Sequence, residues 1–241
     1  RSMSQWNDQR RGLLQTLQTI GGAGRAEGER RERIAPGFYP VTEHLRLLDP
    51  EVVLVVGPRG SGKSQIAQVL ADADLYEAVS RHAPAVRLPS GISTWIKAHP
   101  SGAGGFEVVG LRSFIQSRGT ATETLRDLWF AYLVRTLGNE LNEEERDGLD
   151  ALIMPQGADI DAIATAFAGL TTRPVVALDR LDARLSSDDR FVFVTYDELD
   201  ILGAGDWTLI EAGVRGLVAF WATYARRWKR VRAKLFLRTD L

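Results

Sequence analysis

The sequence predicts an α/β fold built around a mainly parallel β-sheet. Two short runs of apolar residues, at 52–56 and 191–196, have the composition of strands buried on both faces, as central strands of a parallel sheet are. A helix-forming segment follows the first run, and several patterns with apolar residues at helical spacing separate the two runs. These strands and helices together define the predicted class.

The first 33 residues are predicted to be an N-terminal helix followed by a flexible linker. Ser4 can cap a helix that carries apolar residues from Trp6 to Ile20, and the next two residues are glycines that would end it. Residues 21–33 are rich in glycine and charge, which is typical of a mobile linker. A short helix over 42–48 then leads to the first strand, and residues 34–241 are assigned to one domain.

The eight residues from Gly57 to Ser64 match the phosphate-binding pattern G-x-x-x-x-G-K-[ST]. The glycines let backbone N–H groups close around the β-phosphate, Lys63 reaches the β- and γ-phosphates, and the serine hydroxyl binds Mg²⁺. The helix that follows directs its partial positive charge at the anion. We expect the nucleotide to contact this loop and the next residue, which are Gly57, Pro58, Arg59, Gly60, Ser61, Gly62, Lys63, Ser64 and Gln65.

The stretch between the two apolar runs is predicted to be mostly helical. Residues 85–88 are a candidate second strand, and residues 89–110 are predicted to be a long loop. Capping residues and apolar spacing then predict helices over 122–137, 142–154, 159–170 and 174–185. The acidic run at 143–145 is interpreted as the negative first turn of a helix and not as a metal site.

Two acidic residues follow the second apolar run. Asp197 stands where a carboxylate at a strand end can hold Mg²⁺ through a water, beside Ser64. Glu198 can orient and deprotonate a water in line with the γ-phosphate. Adjacent acids at a strand end also occur as a plain helix-capping turn, which is the alternative interpretation. Asp206 is then expected to cap a long helix, and 235–237 to form a last short strand.

The segments GPRGSGKS, FVFVTYDELD and KLFLRTDL resemble the Walker A, Walker B and sensor-strand segments of one division of P-loop ATPases. This is the additional-strand, catalytic-glutamate division, which includes AAA+, STAND and KAP-like proteins. The resemblance implies a three-layer P-loop NTPase fold whose phosphate-loop strand is central, between the Walker B and sensor strands. It also implies that about 111–187 are partly a helical insertion.

The same resemblance implies roles for individual residues. Lys63 and Ser64 would bind phosphate and magnesium, Asp197 would be the Walker B acid and Glu198 the catalytic base. Either Arg238 or Thr239 would sense the γ-phosphate. The DELD and LFLRTDL segments are especially similar to ATPases at the front of bacterial multidomain proteins, many of which act in defence against phage. An antiviral role is therefore the expectation by analogy.

The sequence also departs from that division. It contains no recognisable arginine-finger box, and the division normally continues with another helix and strand after the sensor strand. We therefore expect a fragment of a longer protein, with an effector or sensor domain beyond it.

The expected function is Mg²⁺-dependent ATP hydrolysis that drives conformational change or assembly of a larger protein. ATP is favoured over GTP because no Asn-Lys-x-Asp segment is present. One alternative is a nucleotide-dependent switch with little turnover. A less favoured one is a small-molecule kinase, which would not need the acid pair after the strand. The expected partner is a second copy of the chain, an additional domain or another protein.

The composition restricts cofactors and location. The chain has no cysteine, which excludes disulfides and cysteine-based metal sites and fits the cytoplasm. A net charge of −1 gives no overall field that favours nucleic acid or an anionic membrane. No apolar stretch is long enough to cross a bilayer. The three histidines are predicted to be surface or loop residues.

A basic cluster, defined as the Arg and Lys residues of 226–234, ends the last long helix pattern. We interpret it mainly as a solvated helix end, where cations complement the helix dipole. The alternatives are an arginine finger at a subunit interface and a nucleic-acid contact. Trp221, Tyr224 and Trp228 are interleaved with it, so the region is either a core face or a surface for a partner.

Overall fold

The computed structural model describes residues 46–72, 76, 93–99, 108–153, 159–203 and 205–239. Within these residues the chain is an α/β structure with a four-stranded, all-parallel sheet. The fold class predicted from the sequence is confirmed at this level. The N-terminal helix, the linker and the candidate strand at 85–88 lie outside the described residues and stay predictions.

The sheet contains β1 (Leu54–Gly57), β2 (Ser93–His99), β3 (Phe191–Tyr196) and β4 (Val231–Arg238), in the order β1-β4-β3-β2. The prediction that the phosphate-loop strand lies between the other two motif strands is wrong, because β4 lies between β1 and β3 in the order of the described strands. β4 is long enough to serve both neighbours. Its first half pairs with β3 and its second half with β1.

Burial differs between the two strands that the sequence predicted to be buried on both faces. β3 is buried along almost its whole length. In β1, by contrast, the side chains of Leu54 and Val56 are 49% and 53% exposed, so that prediction is wrong for β1. A run of β-branched residues favours an extended backbone and does not indicate how deeply the strand is buried. Whether the strand is central or at an edge depends on neighbours from elsewhere in the chain.

The segment predicted to be a long loop contains β2 and the start of a helix, α2 (Val108–Arg118). The missed signal is a short alternation in which Thr94, Ile96 and Ala98 are spaced by two. Prolines and glycines on both sides obscure it. Trp95 stacks on Phe193 of β3 with ring centroids 4.2 Å apart, which fixes β2 against its neighbour.

The remaining described helices are α1 (Lys63–Ala71), α3 (Thr122–Thr136), α4 (Glu143–Arg146), α5 (Asp150–Ile153), α6 (Ile160–Gly169), α7 (Arg173–Ser187) and α8 (Trp207–Tyr224). The predicted caps Asn142, Asp159 and Asp206 are confirmed, because each side chain accepts a backbone N–H at a helix start. The single helix predicted over 142–154 is wrong: it is divided into α4 and α5, and Gly148 between them has φ of +70°. None of the helices among the described residues could span a membrane.

The acidic run at 143–145 has a structural role in α4. Glu145 is buried and completes a capping box with Asn142. Arg184 of α7 donates to both carboxylate oxygens of Glu145, at 2.8 and 2.9 Å. These hydrogen bonds outweigh the effect of burial and hold the pKa of Glu145 below its usual value.

The main core lies where α3 and α8 pack together beside the sheet. The indole N–H of Trp129 donates to the carbonyl of Gly213 at 2.8 Å. At Gly216 a Cβ would lie 2.5 Å from the Cβ of Leu125, so only glycine permits this close approach. Trp221 and Trp228 are buried, and Tyr224 stacks on Trp228 at 4.8 Å. Of the two interpretations of these aromatic residues, the core face is confirmed.

The basic cluster is largely neutralised by carboxylates and carbonyls of the same chain. Arg227 forms a bidentate ion pair with the Asp179 carboxylate, at 2.6 and 2.7 Å, and Arg230 pairs with Asp189 at 3.1 Å. The Arg227 side chain remains 51% exposed, which agrees with a solvated helix end, whereas the Arg230 side chain is 20% exposed and departs from that interpretation. Their counter-charges lie on or just after α7, far away in sequence.

Two further cations of the cluster, Arg232 and Lys234, are buried in β4. Arg232 pairs with Glu51, and the Lys234 ammonium donates to the carbonyls of Asp49 and Val52 at 2.5 and 2.6 Å. Burial lowers the pKa of Lys234 to about 7. Both side chains fasten the segment that precedes β1 onto the middle of the sheet.

Candidate functional site

The three sequence motifs meet at one edge of the sheet. Strands that run parallel present their carboxyl ends at the same edge, and β1, β3 and β4 end there at Gly57, Tyr196 and Arg238. The register sets Gly57 opposite Arg238, and sets Tyr196 opposite Leu235. Because β4 separates β1 from β3, the backbones of those two strands lie two strand spacings apart, roughly 10 Å.

The loop after β1 requires glycine at two positions for its backbone conformation, and a third glycine leaves room for the Ser61 hydroxyl. Gly60 and Gly62 have φ of +79° and +82°, in the left-handed region that other residues rarely adopt. At Gly57 a Cβ would lie 2.8 Å from the Ser61 hydroxyl oxygen. The loop is thereby kept tight. Its outer residues Pro58, Arg59, Gly60 and Ser61 are exposed, so a ligand can approach them.

Lys63 and the start of α1 give this loop a positive character. The ammonium of Lys63 donates to the carbonyls of Gly57 and Pro58 at 2.7 and 2.8 Å, which holds it over the loop. The N-cap is Gly62, which provides no side-chain acceptor, and the first turn of α1 carries no acidic residue. The positive end of the helix is therefore not neutralised by its own side chains and suits an anion. Ser64 and Gln65 are half-buried in this first turn.

The acid pair after β3 is held by its neighbours. The N–H of Asp197 donates to the carbonyl of His99 at 3.2 Å, and a carboxylate oxygen of Asp197 accepts from the N–H of Glu198 at 2.9 Å. Glu198 has φ of +52° and ψ of +35°, a left-handed conformation that costs a non-glycine residue of order 1 kcal/mol. Such strain persists only where the surroundings enforce it, and it concentrates at functional sites.

A short 3₁₀ turn, Leu199–Ile201, enforces this conformation. Leu199, the first residue of the turn, and Leu202, the residue after it, have side chains buried in the core. The N–H of Ile201 donates back to the carbonyl of Glu198 at 3.0 Å. The backbone at Glu198 is thus fixed from β3 on one side and from the buried turn on the other.

Ser64 and Asp197 carry the kinds of oxygen that Mg²⁺ prefers as ligands. Within the residues that the structure describes, no group of three or more His, Cys, Asp or Glu could hold a metal by itself. Mg²⁺ ordinarily takes only one or two protein oxygens and completes its shell with water and substrate phosphates. One hydroxyl and one carboxylate, from the start of α1 and from the residue after β3, are of the number and kind that this requires.

The two candidate sensors differ in their surroundings. Arg238 is half-buried, and its guanidinium donates to a carboxylate oxygen of Asp200 at 2.7 Å. Thr239 is exposed, and its N–H donates to the carbonyl of Gly57 at 3.3 Å. Arg238 thereby links the edge of the phosphate loop to the turn after the acid pair. The role of Asp200 could not be predicted from the sequence, because nothing in the chain order indicates its pairing with a residue 38 positions away.

His99 is a second residue that sequence analysis misjudged. The prediction of a surface or loop residue is wrong, because His99 ends β2 and is 1% exposed, edge-on to Trp129. Burial lowers the pKa of His99 to about 4, and a hydrogen bond with the backbone of Glu198 opposes that shift. The signal available in the sequence is the place of His99 at the end of the short alternation.

We expect His99 to make stability fall on acidification. Its pKa is about 4 in the folded chain and near 6.5 when unfolded, so between these values the unfolded state binds more protons. The contribution of His99 to the free energy of unfolding should be complete above about pH 6.5. At pH 5 the free energy of unfolding should be lower by about 2 kcal/mol. Urea unfolding at pH 7.5 and pH 5 measures it.

The control for this prediction is His99→Gln, which keeps a hydrogen-bond donor and removes the titration. Its stability should change less between the two pH values than that of the wild type. An equal loss in both proteins would assign the pH dependence to other groups.

Comparisons of the chain with models of protein families, with curated proteins and with solved structures find no match. The assignment of this edge therefore depends on its own geometry and chemistry.

Proposed function

We propose that the chain binds ATP with Mg²⁺ at the carboxyl edge of its parallel sheet and hydrolyses it. One observation carries the proposal: a tight glycine loop, an acid pair and an arginine, from three separate segments, end at that one edge. The proposal includes the three-layer P-loop fold, with which the four-stranded parallel sheet is compatible. It also includes the resemblance to ATPases of the additional-strand, catalytic-glutamate division.

In the proposed reaction the Glu198 carboxylate accepts a proton from a water molecule. The water oxygen forms a bond to the γ-phosphorus, and the bond from that phosphorus to the β–γ bridging oxygen breaks, which releases ADP and phosphate. Lys63 and the N–H groups of the loop balance the negative charge of the phosphates. Arg238 is the proposed contact of the γ-phosphate.

Ser64 and Asp197 are the proposed magnesium ligands, the second through a water. A bound Mg²⁺ supplies positive charge to the β- and γ-phosphate oxygens. The purpose of turnover is proposed to be conformational change or assembly, in a homo-oligomer or with a further domain or partner protein.

The first test compares wild type with Lys63→Ala in ATP binding and in Mg²⁺-dependent phosphate release. We expect the variant to lose at least about tenfold in ATP affinity, equivalent to about 1.4 kcal/mol, because the ammonium that faces the phosphates is gone. Lys229→Ala, which removes an exposed lysine just before the start of β4, is the matched control and should bind as wild type does. Unchanged affinity in Lys63→Ala would refute the phosphate-loop assignment.

The same assay separates the alternatives when it is run at several protein concentrations, with and without DNA. Specific activity that rises with concentration would indicate that copies of the chain act together. Binding without turnover would indicate a nucleotide-dependent switch. Transfer of phosphate to an added acceptor instead of water would indicate a kinase.

A further inference from the structure

We infer that Asp200 is a positioning residue for hydrolysis, which holds the Arg238 guanidinium between the acid pair and the phosphate-binding loop. The inference rests on the proposed function and extends it to a residue that touches neither nucleotide nor water. Its basis is the 2.7 Å contact from the Arg238 guanidinium to the Asp200 carboxylate.

The backbone of Arg238 is fixed beside the phosphate-binding loop. Arg238 is the last residue of β4 and lies opposite Gly57, the first residue of the loop. The next residue, Thr239, donates its N–H to the carbonyl of Gly57. The same carbonyl accepts from the ammonium of Lys63 at 2.7 Å. The arginine therefore starts from a fixed point within one residue of the proposed phosphate site.

The carboxylate of Asp200 is fixed as well, from the other side of the edge. It lies in the middle of the 3₁₀ turn Leu199–Ile201, directly after Glu198. Leu199 and Leu202 anchor this turn in the core, and the guanidinium of Arg112 donates to the carbonyl of Gly203 at 3.4 Å just beyond it. A rigid backbone thus presents Asp200 to Arg238.

The Arg238 side chain, unlike its backbone, is positioned only by its contacts, of which the ion pair with Asp200 is one. An arginine side chain is long and has many rotamers, so a fixed Cα does not fix its guanidinium. The side chains of Arg238 and Asp200 are 25% and 30% exposed, which screens their attraction less than at a fully exposed pair. A guanidinium has five N–H donors, so the contact with Asp200 is compatible with a further contact to a phosphate oxygen.

The ion pair also balances charge at the edge. Lys63 and Arg238 both lie next to Gly57, one through its ammonium and one through the strand register. Asp200 contributes a negative charge to the two positive ones. It connects the turn that carries Glu198 to the strand that carries Arg238, so the proposed base and the proposed phosphate contact are held relative to each other.

The test is steady-state ATP hydrolysis by Asp200→Asn, which keeps the size of the side chain and removes its charge. We expect kcat to fall about tenfold or more, while KM for ATP stays within about threefold, since the loop itself is unchanged. Asp161→Asn is the matched control, because Asp161 of α6 forms an ion pair of similar length with Arg118 of α2, at 2.8 Å, and neither residue is proposed for the site. The control should turn over ATP as wild type does. Asp200→Glu, which restores the carboxylate, should recover part of the lost kcat.

A double-mutant cycle with Arg238→Gln decides whether Asp200 acts through the arginine. If it does, Asp200→Asn lowers kcat little further once Arg238 is replaced. Wild-type kcat in Asp200→Asn, or losses that multiply in the double variant, would overturn the inference and leave the proposed function intact. A wild-type protein without Lys63-dependent turnover would overturn both. If Asp200→Asn lowers the unfolding temperature markedly, Asp200→Ser replaces it in the cycle.

Discussion

Glu198→Gln is expected to lower kcat for ATP hydrolysis at least about 100-fold while ATP affinity stays within about threefold. General-base catalysis by a positioned carboxylate typically contributes 10² to 10⁴ in rate, and an amide cannot take the proton from water. The proposed phosphate contacts come from the loop after β1 and not from Glu198, so binding should persist. Phosphate release and ATP binding are measured on the same preparations.

The substitution also keeps the structure of the turn. Gln has the size of Glu, and the left-handed backbone at this position is enforced by the 3₁₀ turn rather than by the charge. The unfolding temperature should therefore not change appreciably. Glu211→Gln, an exposed glutamate of α8, is the matched control and should leave both activity and stability unchanged. Undiminished hydrolysis in Glu198→Gln would remove the catalytic-base assignment.

Asp182→Ala is expected to lower the free energy of unfolding by about 3 kcal/mol. Asp182 of α7 is buried, and its carboxylate accepts the backbone N–H groups of Lys229, Arg230 and Val231 at 2.9, 2.6 and 2.9 Å. A buried hydrogen bond to a charged group contributes about 1.5 to 3 kcal/mol. Only the N–H of Val231 is fully buried, whereas those of Lys229 and Arg230 are partly buried and can donate to water instead, so the total loss stays near the value of one such bond. For a chain of this size the unfolding temperature should fall by about 6 to 12 °C.

The control for this substitution is Glu211→Ala. Glu211 forms an exposed i,i+4 ion pair with Arg215 on α8, a kind of pair that contributes about 0.3 to 0.5 kcal/mol. Thermal and urea unfolding of both variants give the comparison. A loss in Asp182→Ala as small as in the control would mean that the start of β4 does not depend on this carboxylate.

The consequence of Asp182→Ala should extend to the site. Asp182 fixes the turn that begins β4, and β4 ends at Arg238 beside the proposed phosphate-binding loop. If the strand shifts when its start is released, ATP turnover should fall at temperatures where the protein is still folded. A destabilised variant with full turnover would show that the register with β1 and β3 is sufficient to hold Arg238.

Features that depend on a few consecutive residues could be predicted from the amino-acid sequence alone. The caps at Asn142, Asp159 and Asp206 are local, because a side chain bonds the backbone two or three residues further on. The strand β3 and the long helix α8 also follow from local composition and spacing. The residues proposed for phosphate, magnesium and base chemistry were all named from two short motifs.

Tertiary contacts decide the rest, because they join residues that chain order does not relate. The place of β1 at the edge of the described sheet depends on β4, which is formed some 180 residues later. β2 was missed because seven residues of weak alternation become a strand only against β3. The burial of Arg232 and Lys234 and the pairing of Arg238 with Asp200 have the same cause. A charged residue shows its sign in the sequence, but its counter-charge and its exposure to water are properties of the folded chain.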